Sequence, residues 1–296
     1  MSSRVLEIEA KQWQFESKAE YVNALESGKV LCFSGLPFEL SPDEKRLLSP
    51  SVLNEKSRNV SLNEKGELKG ANVDPVVQAQ LTELIGRFKG QALDLLNSIA
   101  PGYTPNLRVA PTSFRPLKVE DRKQSIRADD RRIHVDAFPS RPNYGERILR
   151  VFININPEGT PRVWRVGERF ETVAERFLPR AKPYSAWQAK LLAQLRITKS
   201  VRSEYDHLML QLHDLMKHDE AYQAKANDDL VEFAPGAVWV CYSDLVPHGV
   251  LSGQYMMEQT CHLQVKHQNN PEKSPLAILG RMRGEEHLEV VGGLTV

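Results

Sequence analysis

Two histidines and an aspartate carry the first chemical signal in this chain. His134 and Asp136 stand two apart in the run RRIHVDAF, and on a strand residues two apart project from the same face. An imidazole and a carboxylate so placed, joined by a second imidazole, make a two-histidine, one-carboxylate set that leaves positions open on a ferrous ion. The segment PGAVWVCYSDLVPHGV offers that second imidazole in His248, after an apolar strand and a turn. A His-x-Asp alone is weak evidence in a chain with eight histidines, and a surface histidine beside a solvated aspartate is the competing explanation. His207, His213 and His218 are rival ligands. The last two are five positions apart, about 140° around a helix, so they do not face one ion and read as a solvated helix face. His262, His267 and His287 have no carboxylate at ligand spacing and read as structural.

Arginines form the second signal. Arg150 falls in RILRVFINI, where Leu149, Val151, Ile153 and Ile155 make one apolar face and Arg150 shares the other with Ile148, Phe152 and Asn154. That mixture suits a barrel interior holding a polar ligand. A guanidinium buried there needs an anionic partner, because an unpaired buried charge costs about 3–5 kcal/mol; the partner is either an acidic ligand or a protein carboxylate. On the next predicted strand, PRVWRV, Arg162 and Trp164 share a face and could grip the second end of an anionic ligand. Packing at the rim, with Arg162 in solvent, is the plainer alternative. Arg115, Arg127 and Arg132 are further candidates, Arg132 on the same face as His134.

These residues need a scaffold. KAEYVNALESGKVLCF reads as a helix running into a short strand, and Asp74 and Pro75 sit where an N-cap and first helical residue belong, ahead of a long amphipathic repeat that Pro101 and Gly102 stop. From about Asn106 the texture becomes short apolar runs: FRPLKV, RRIHVDAF, RILRVFININ, PRVWRVG, AVWVCYSD and QYMMEQTCHLQV read as strands. Helical pieces lie between them, in GERFETVAERFL, SAWQAKLLAQLRIT and SEYDHLMLQLHDLMKH, without the regular alternation of a doubly wound sheet. The fold expected is mainly β with helices: a double-stranded β-helix, or jelly roll, with N-terminal and inserted helices. One domain spans 1–296, with a mixed lead segment at 1–105, the core at 106–268, a helical insertion at 185–220 and a tail at 269–296 that begins as a loop and ends in a short edge strand, HLEVV.

Composition bounds the function. With 296 residues, 41% hydrophobic and 26% charged, the chain can bury an ordinary core without staples. Its three scattered cysteines favour a reducing compartment, with the cytoplasm as the default. No signal peptide or membrane span is legible. The net charge of +1 gives no general attraction to nucleic acid, although Arg108 to Arg180 carries a local +6. Gly-rich phosphate loops, G-x-S-x-G elbows, H-E-x-x-H helices and C-x-x-C pairs are all missing from the sequence, which leaves histidine and carboxylate chemistry.

The HVD at 134–136, the distal His248 and an arginine on the strand after His-x-Asp resemble the Fe(II)- and 2-oxoglutarate-dependent dioxygenases. The run IRADDRRIHVDAFPSRPNYGERILRVFININPEGTPRVWRVGE resembles the Kdo hydroxylase family more closely. That resemblance implies hydroxylation at C3 of 3-deoxy-D-manno-oct-2-ulosonic acid (Kdo) in lipid A or the lipopolysaccharide inner core, giving the talo-octulosonic acid. By the same resemblance His134, Asp136 and His248 would hold Fe(II), Arg150, Arg162 and Trp164 would hold 2-oxoglutarate, and O2 would be the second cosubstrate. The implied partner is a Kdo-bearing lipid A or its precursor, with peripheral contact at the inner face of the inner membrane and no obligate protein partner. Many dioxygenases of this kind carry a basic residue about ten positions after the distal histidine; here that stretch holds Gln254, Glu258 and Gln259, which passes the far carboxylate of 2-oxoglutarate to Arg150. Asp136 and His248 are 112 residues apart, an interval the helical insertion would fill as a lid or a substrate platform. An oxygenase of protein or amino-acid side chains, and a non-catalytic jelly-roll sugar-binding module, are the alternatives.

Overall fold

The computed structural model describes residues 4–121, 124–225, 229–284, 288 and 290. The chain opens with β1 (Val5–Glu7), α1 (Ala19–Glu26), β2 (Val30–Phe33), α2 (Pro42–Arg46), β3 (Val60–Leu62), β4 (Leu68–Lys69) and α3 (Pro75–Ile99). β5 (Arg108–Arg115), β6 (Arg147–Asn154) and β7 (Arg162–Val166) lead into four helices, α4 (Phe170–Phe177), α5 (Ala186–Gln194), α6 (Glu204–His218) and α7 (Glu220–Lys225). β8 (Asp229–Phe233), β9 (Val238–Tyr242), β10 (His248–Ser252), β11 (Met256–Leu263) and α8 (Pro275–Arg283) follow.

Eight strands form one sheet in the order β1-β2-β9-β6-β11-β5-β3-β4, and three form a second, β10-β7-β8. Among the described residues only the β1–β2 pair is parallel; the other strand pairs are antiparallel. Alternation along the central strands builds two cores. Leu149, Val151 and Ile153 of β6 join Val238, Val240 and Tyr242 of β9 on the side covered by helices. Phe152, Trp239 and Cys241 point the other way and meet Trp164, Val166, Phe233 and Val250 of the small sheet. This sandwich is the jelly roll that the patterning predicts. α3 backs the large sheet, capped by the Asp74 carboxylate accepting from the Val76 and Val77 N–H groups at 2.9 and 3.1 Å, with Leu81, Leu84, Ile85, Phe88 and Leu95 buried.

Three expectations need correction. FRPLKV is not a strand as a whole: β5 lies earlier and ends at Arg115, where Pro116 cannot donate to a ladder. RRIHVDAF forms no strand, only an isolated bridge between His134 and His248. The tail contains α8, announced by Ser274 as N-cap, Pro275 at N1 and Gly284 in the left-handed conformation beyond the last turn. The edge strand HLEVV falls largely outside the described residues.

Candidate metal centre

His134, Asp136 and His248 come together although only one of them lies in a strand. The 133–136 segment runs alongside the start of β10. On one side the His134 N–H donates to the His248 carbonyl at 3.0 Å, the His248 N–H returns to His134 at 2.9 Å, and the Asp136 N–H reaches Ser243 at 2.8 Å. On the other side a side chain replaces the missing strand: the Gln223 amide of α7 accepts from the Ile133 N–H at 2.9 Å and donates to the Ile133 carbonyl at 3.0 Å. Gly249 permits the close approach, since a Cβ there would stand 2.7 Å from the Arg131 carbonyl oxygen. Residues two apart therefore still share a face, as the strand reading required.

The geometry fits a metal ion. One donor atom from each of the three residues lies within 4.8 Å of the others, and His134 Nε2 is 3.6 Å from the Asp136 carboxylate. The Nδ1 of His134 sits 2.7 Å from the Arg132 carbonyl and that of His248 2.8 Å from the Val246 carbonyl. A carbonyl only accepts, so each Nδ1 carries the proton and each Nε2 presents its lone pair. Burial pushes the His134 imidazolium down to about 4 and lowers that of His248. For Asp136 burial acts upward, but the Arg150 guanidinium together with the His134 and His248 rings outweighs it and holds the carboxyl well below its usual range. Neutral imidazoles and an ionised carboxylate are the states that bind a divalent cation.

Around the three donors is a cavity of about 130 Å³, lined also by Arg115, Asp130, Arg150, Arg162, Glu258, Phe152, Trp164, Val250 and Met256. Arg150 and Arg162 thus face the cavity with Trp164 and with Arg115, one of the further candidates. Arg150 Nη1 is 3.0 Å from the Asp136 carboxylate, so its partner in this structure is a protein acid. Trp164 stacks on the His248 ring, centroids 4.9 Å apart, and its buried indole N–H has no hydrogen-bond partner. Gly253, at φ +120, leaves room for the Arg162 backbone, which a Cβ would meet at 3.0 Å. Arg127 and Arg132 turn away, to Asp214 at 3.0 Å and to Glu220 at 2.7 Å.

Three neighbours escaped the sequence reading. Glu258 occupies the stretch where a base is common, and bonds Arg115 at 2.9 Å; the alternation Met256, Glu258, Thr260 along β11 was the available signal. Asp130 stands four residues before His134 in an irregular stretch that gives no periodicity. His213 is buried, its ring edge-on to His134 at 5.3 Å, which corrects its reading as solvated: α6 packs on the ligand segment. Beyond Arg150 and Glu258, which line both spaces, a groove of about 840 Å³ opens past Phe138, Thr260 and His262 towards Asn59, Lys69, Arg108 and Arg141. Among the described residues no helix is long and apolar enough to cross a membrane.

A family model described as 3-deoxy-D-manno-oct-2-ulosonic acid (Kdo) hydroxylase matches residues 9–286. The chain is similar to the apo structure of the Kdo hydroxylase KdoO, a non-haem Fe(II) alphaketoglutarate-dependent dioxygenase, at 39% identity over 97% of this chain and 98% of that one, with a TM-score of 0.92. The complex of KdoO with alphaketoglutarate and Fe(III) matches at 39% identity over 97% and 98% of the two chains, with a TM-score of 0.91. The cobalt(II) complex matches at 38% over 99% and 100%, with a TM-score of 0.93. No curated protein matches the chain.

Proposed function

The chain belongs to the Kdo hydroxylase family, and on that premise we propose that His134, Asp136 and His248 hold a ferrous ion that serves 2-oxoglutarate-dependent hydroxylation of Kdo. The observation that carries this function is the convergence of two buried imidazoles and the half-buried Asp136 carboxylate, in metal-binding protonation states, in one cavity with three arginines. When bound, iron supplies the coupling of 2-oxoglutarate decarboxylation to oxygen insertion, one atom of O2 entering succinate and the other a C–H bond of the acceptor.

The protein's own part is positioning and charge. Two backbone carbonyls fix the imidazole tautomers, Arg150 holds the Asp136 carboxylate in place, and Trp164 braces the His248 ring. Arg150, Arg162, Arg115 and the Trp164 N–H make the anion pocket assigned to 2-oxoglutarate. Arg115, Arg150 and Arg162 balance Asp130, Asp136 and Glu258 in the cavity. A dication or a dianion alone upsets that balance at low dielectric, and the two together restore it. Phe152, Val250 and Met256 narrow the cavity and limit water.

The acceptor reaches the cavity from the groove, whose Asn59, Ser61 and Ser113 form a hydrogen-bonded amide and hydroxyl cluster and whose Lys69 and Arg141 are exposed cations suited to acidic sugars. Kdo carried on a lipid A precursor, with hydroxylation at C3 and action at the membrane face, is the full assignment; family likeness supports its regiochemistry. The test is mass analysis after anaerobic loading with iron and 2-oxoglutarate, then oxygen. A Kdo-bearing lipid gains one oxygen atom while 2-oxoglutarate yields succinate and carbon dioxide in equal amount, whereas oxidation of a peptide panel with no change in the Kdo lipid rejects the assignment.

A further inference from the structure

Seven large apolar side chains are exposed among the described residues, and four of them fall between positions 187 and 197: Trp187 (67% exposed), Leu191, Leu195 and Ile197. Trp187, Leu191 and Leu195 recur every four residues, along one side of α5 and into its C-cap. A contiguous patch marks an interaction surface where scattered residues would not. The other three tryptophans of the chain, Trp13, Trp164 and Trp239, are buried, so burial of an indole is the norm in this fold and Trp187 departs from it.

The charges along this stretch of chain have one sign. From Arg180 to Ser203 there are six cations, Arg180, Lys182, Lys190, Arg196, Lys199 and Arg202, and no aspartate or glutamate. Arg180 is engaged with Asp219 at 2.6 Å, while Lys182, Lys190, Arg196 and Lys199 are exposed. Two copies of such a face would set like charges against one another. An anionic bilayer complements it: indole and leucine enter the interface, and lysine and arginine stems lie along apolar surface with their heads at the phosphates. The patch is also tied to the groove, because the Lys199 N–H donates to the Ser140 carbonyl at 2.9 Å and the Arg202 guanidinium to the Pro139 carbonyl at 2.7 Å. Pro139 and Ser140 form part of the groove wall.

We infer that α5 and the segment following it to Lys199 are a docking face for an anionic lipid bilayer, placed to present the groove to a membrane-borne acceptor. The identity of that acceptor rests on the proposed function; the docking itself does not. The full chain is mixed with vesicles of phosphatidylethanolamine containing one quarter phosphatidylglycerol, and sedimentation is followed together with tryptophan emission. Wild type sediments and its emission shifts to the blue. The double variant Trp187→Ser, Leu191→Ser, at solvent-exposed positions, loses at least about tenfold in vesicle affinity, and Lys190→Gln with Arg196→Gln loses roughly fivefold per cation, an effect that salt mimics. Both variants keep wild-type turnover of a water-soluble, deacylated Kdo glycan and lose turnover of the acylated substrate in vesicles. Sedimentation unaffected by the substitutions overturns the inference, as does equal binding to phosphatidylcholine vesicles or a solution dimer that Trp187→Ser dissociates without vesicle binding. Vesicle binding as described, with neither Kdo substrate turned over, leaves the docking face standing and rejects the proposed reaction instead.

Discussion

β6 carries two arginines, Arg147 buried and Arg150 half-buried, each paired with an aspartate, and they do opposite work. Arg147 faces the helix side of the large sheet. It is fully buried and bonds Asp244 through Nε at 2.7 Å, with its guanidinium 3.8 Å over the Tyr242 ring. Arg150, three residues on and therefore on the other face, meets Asp136 at 3.0 Å and Glu258 at 3.9 Å, but its side chain keeps 14% of its surface exposed to the cavity. The first pair is closed off by packing. The second is left open, so its carboxylate remains available to a cation and its guanidinium to an anion. One strand separates a structural ion pair from a binding pair simply by alternation.

Removing each aspartate tests that division most severely. Asp136→Ala should reduce succinate formation to the uncatalysed background while costing less stability than the loss of Asp244, because Arg150 keeps the Glu258 carboxylate at 3.9 Å and an opening to the cavity; turnover surviving at a measurable fraction would take Asp136 out of the metal set. Asp244→Ala should do the reverse. It strands the Arg147 guanidinium in a dry interior and costs about 3–5 kcal/mol of stability, read by chemical denaturation, with activity per folded molecule retained.

Arg150→Ala lies between these extremes. Loss of a charged hydrogen bond of ~1.5–3 kcal/mol predicts a KM for 2-oxoglutarate raised roughly ten- to a hundredfold, and loss of the group that orients Asp136 predicts iron affinity lowered by about ten- to a hundredfold. An unchanged KM would make Arg150 purely a partner of Asp136, and so as structural as Arg147.

How much of this contrast was legible beforehand follows from periodicity. The apolar face of β6 and the polar position of Arg150 are read directly from alternating residues, and the N-cap Asp74 with Pro75 marks the start of α3 where the structure has it. The pair at 134 and 136 is visible by spacing, and His248 by its place after an apolar strand and a turn. What was not visible is tertiary. A glutamine side chain of α7 stands in for a strand beside Ile133, and no local pattern announces that. The burial of His213 depends on α6 docking against the ligand segment, and the protein partners of Arg150 depend on which carboxylates arrive from β11 and the 131–136 segment. Ser274-Pro275 was a cap signal of the same kind as Asp74-Pro75, and it marks α8, which the loop reading of the tail passed over.

The smallest effect is a pH dependence of the metal-free protein. His134 and His248 are neutral in the fold because burial lowers their affinity for protons, that of His134 to about 4, whereas in the unfolded chain they protonate near 6.5. The unfolded state therefore binds more protons below that value, and stability should fall as pH drops from about 6.5 towards 4. His134→Gln should flatten that slope in denaturation curves taken across the window; an unaltered slope would show that other groups produce it.

The most direct measurement is anaerobic equilibrium dialysis of ferrous iron against the wild-type chain and His248→Ala, with 2-oxoglutarate present and circular dichroism recorded on both. A single equivalent of iron is expected on the wild type and none on a variant whose spectrum is unchanged. Equal iron on the two proteins, or none on either, would contradict that expectation.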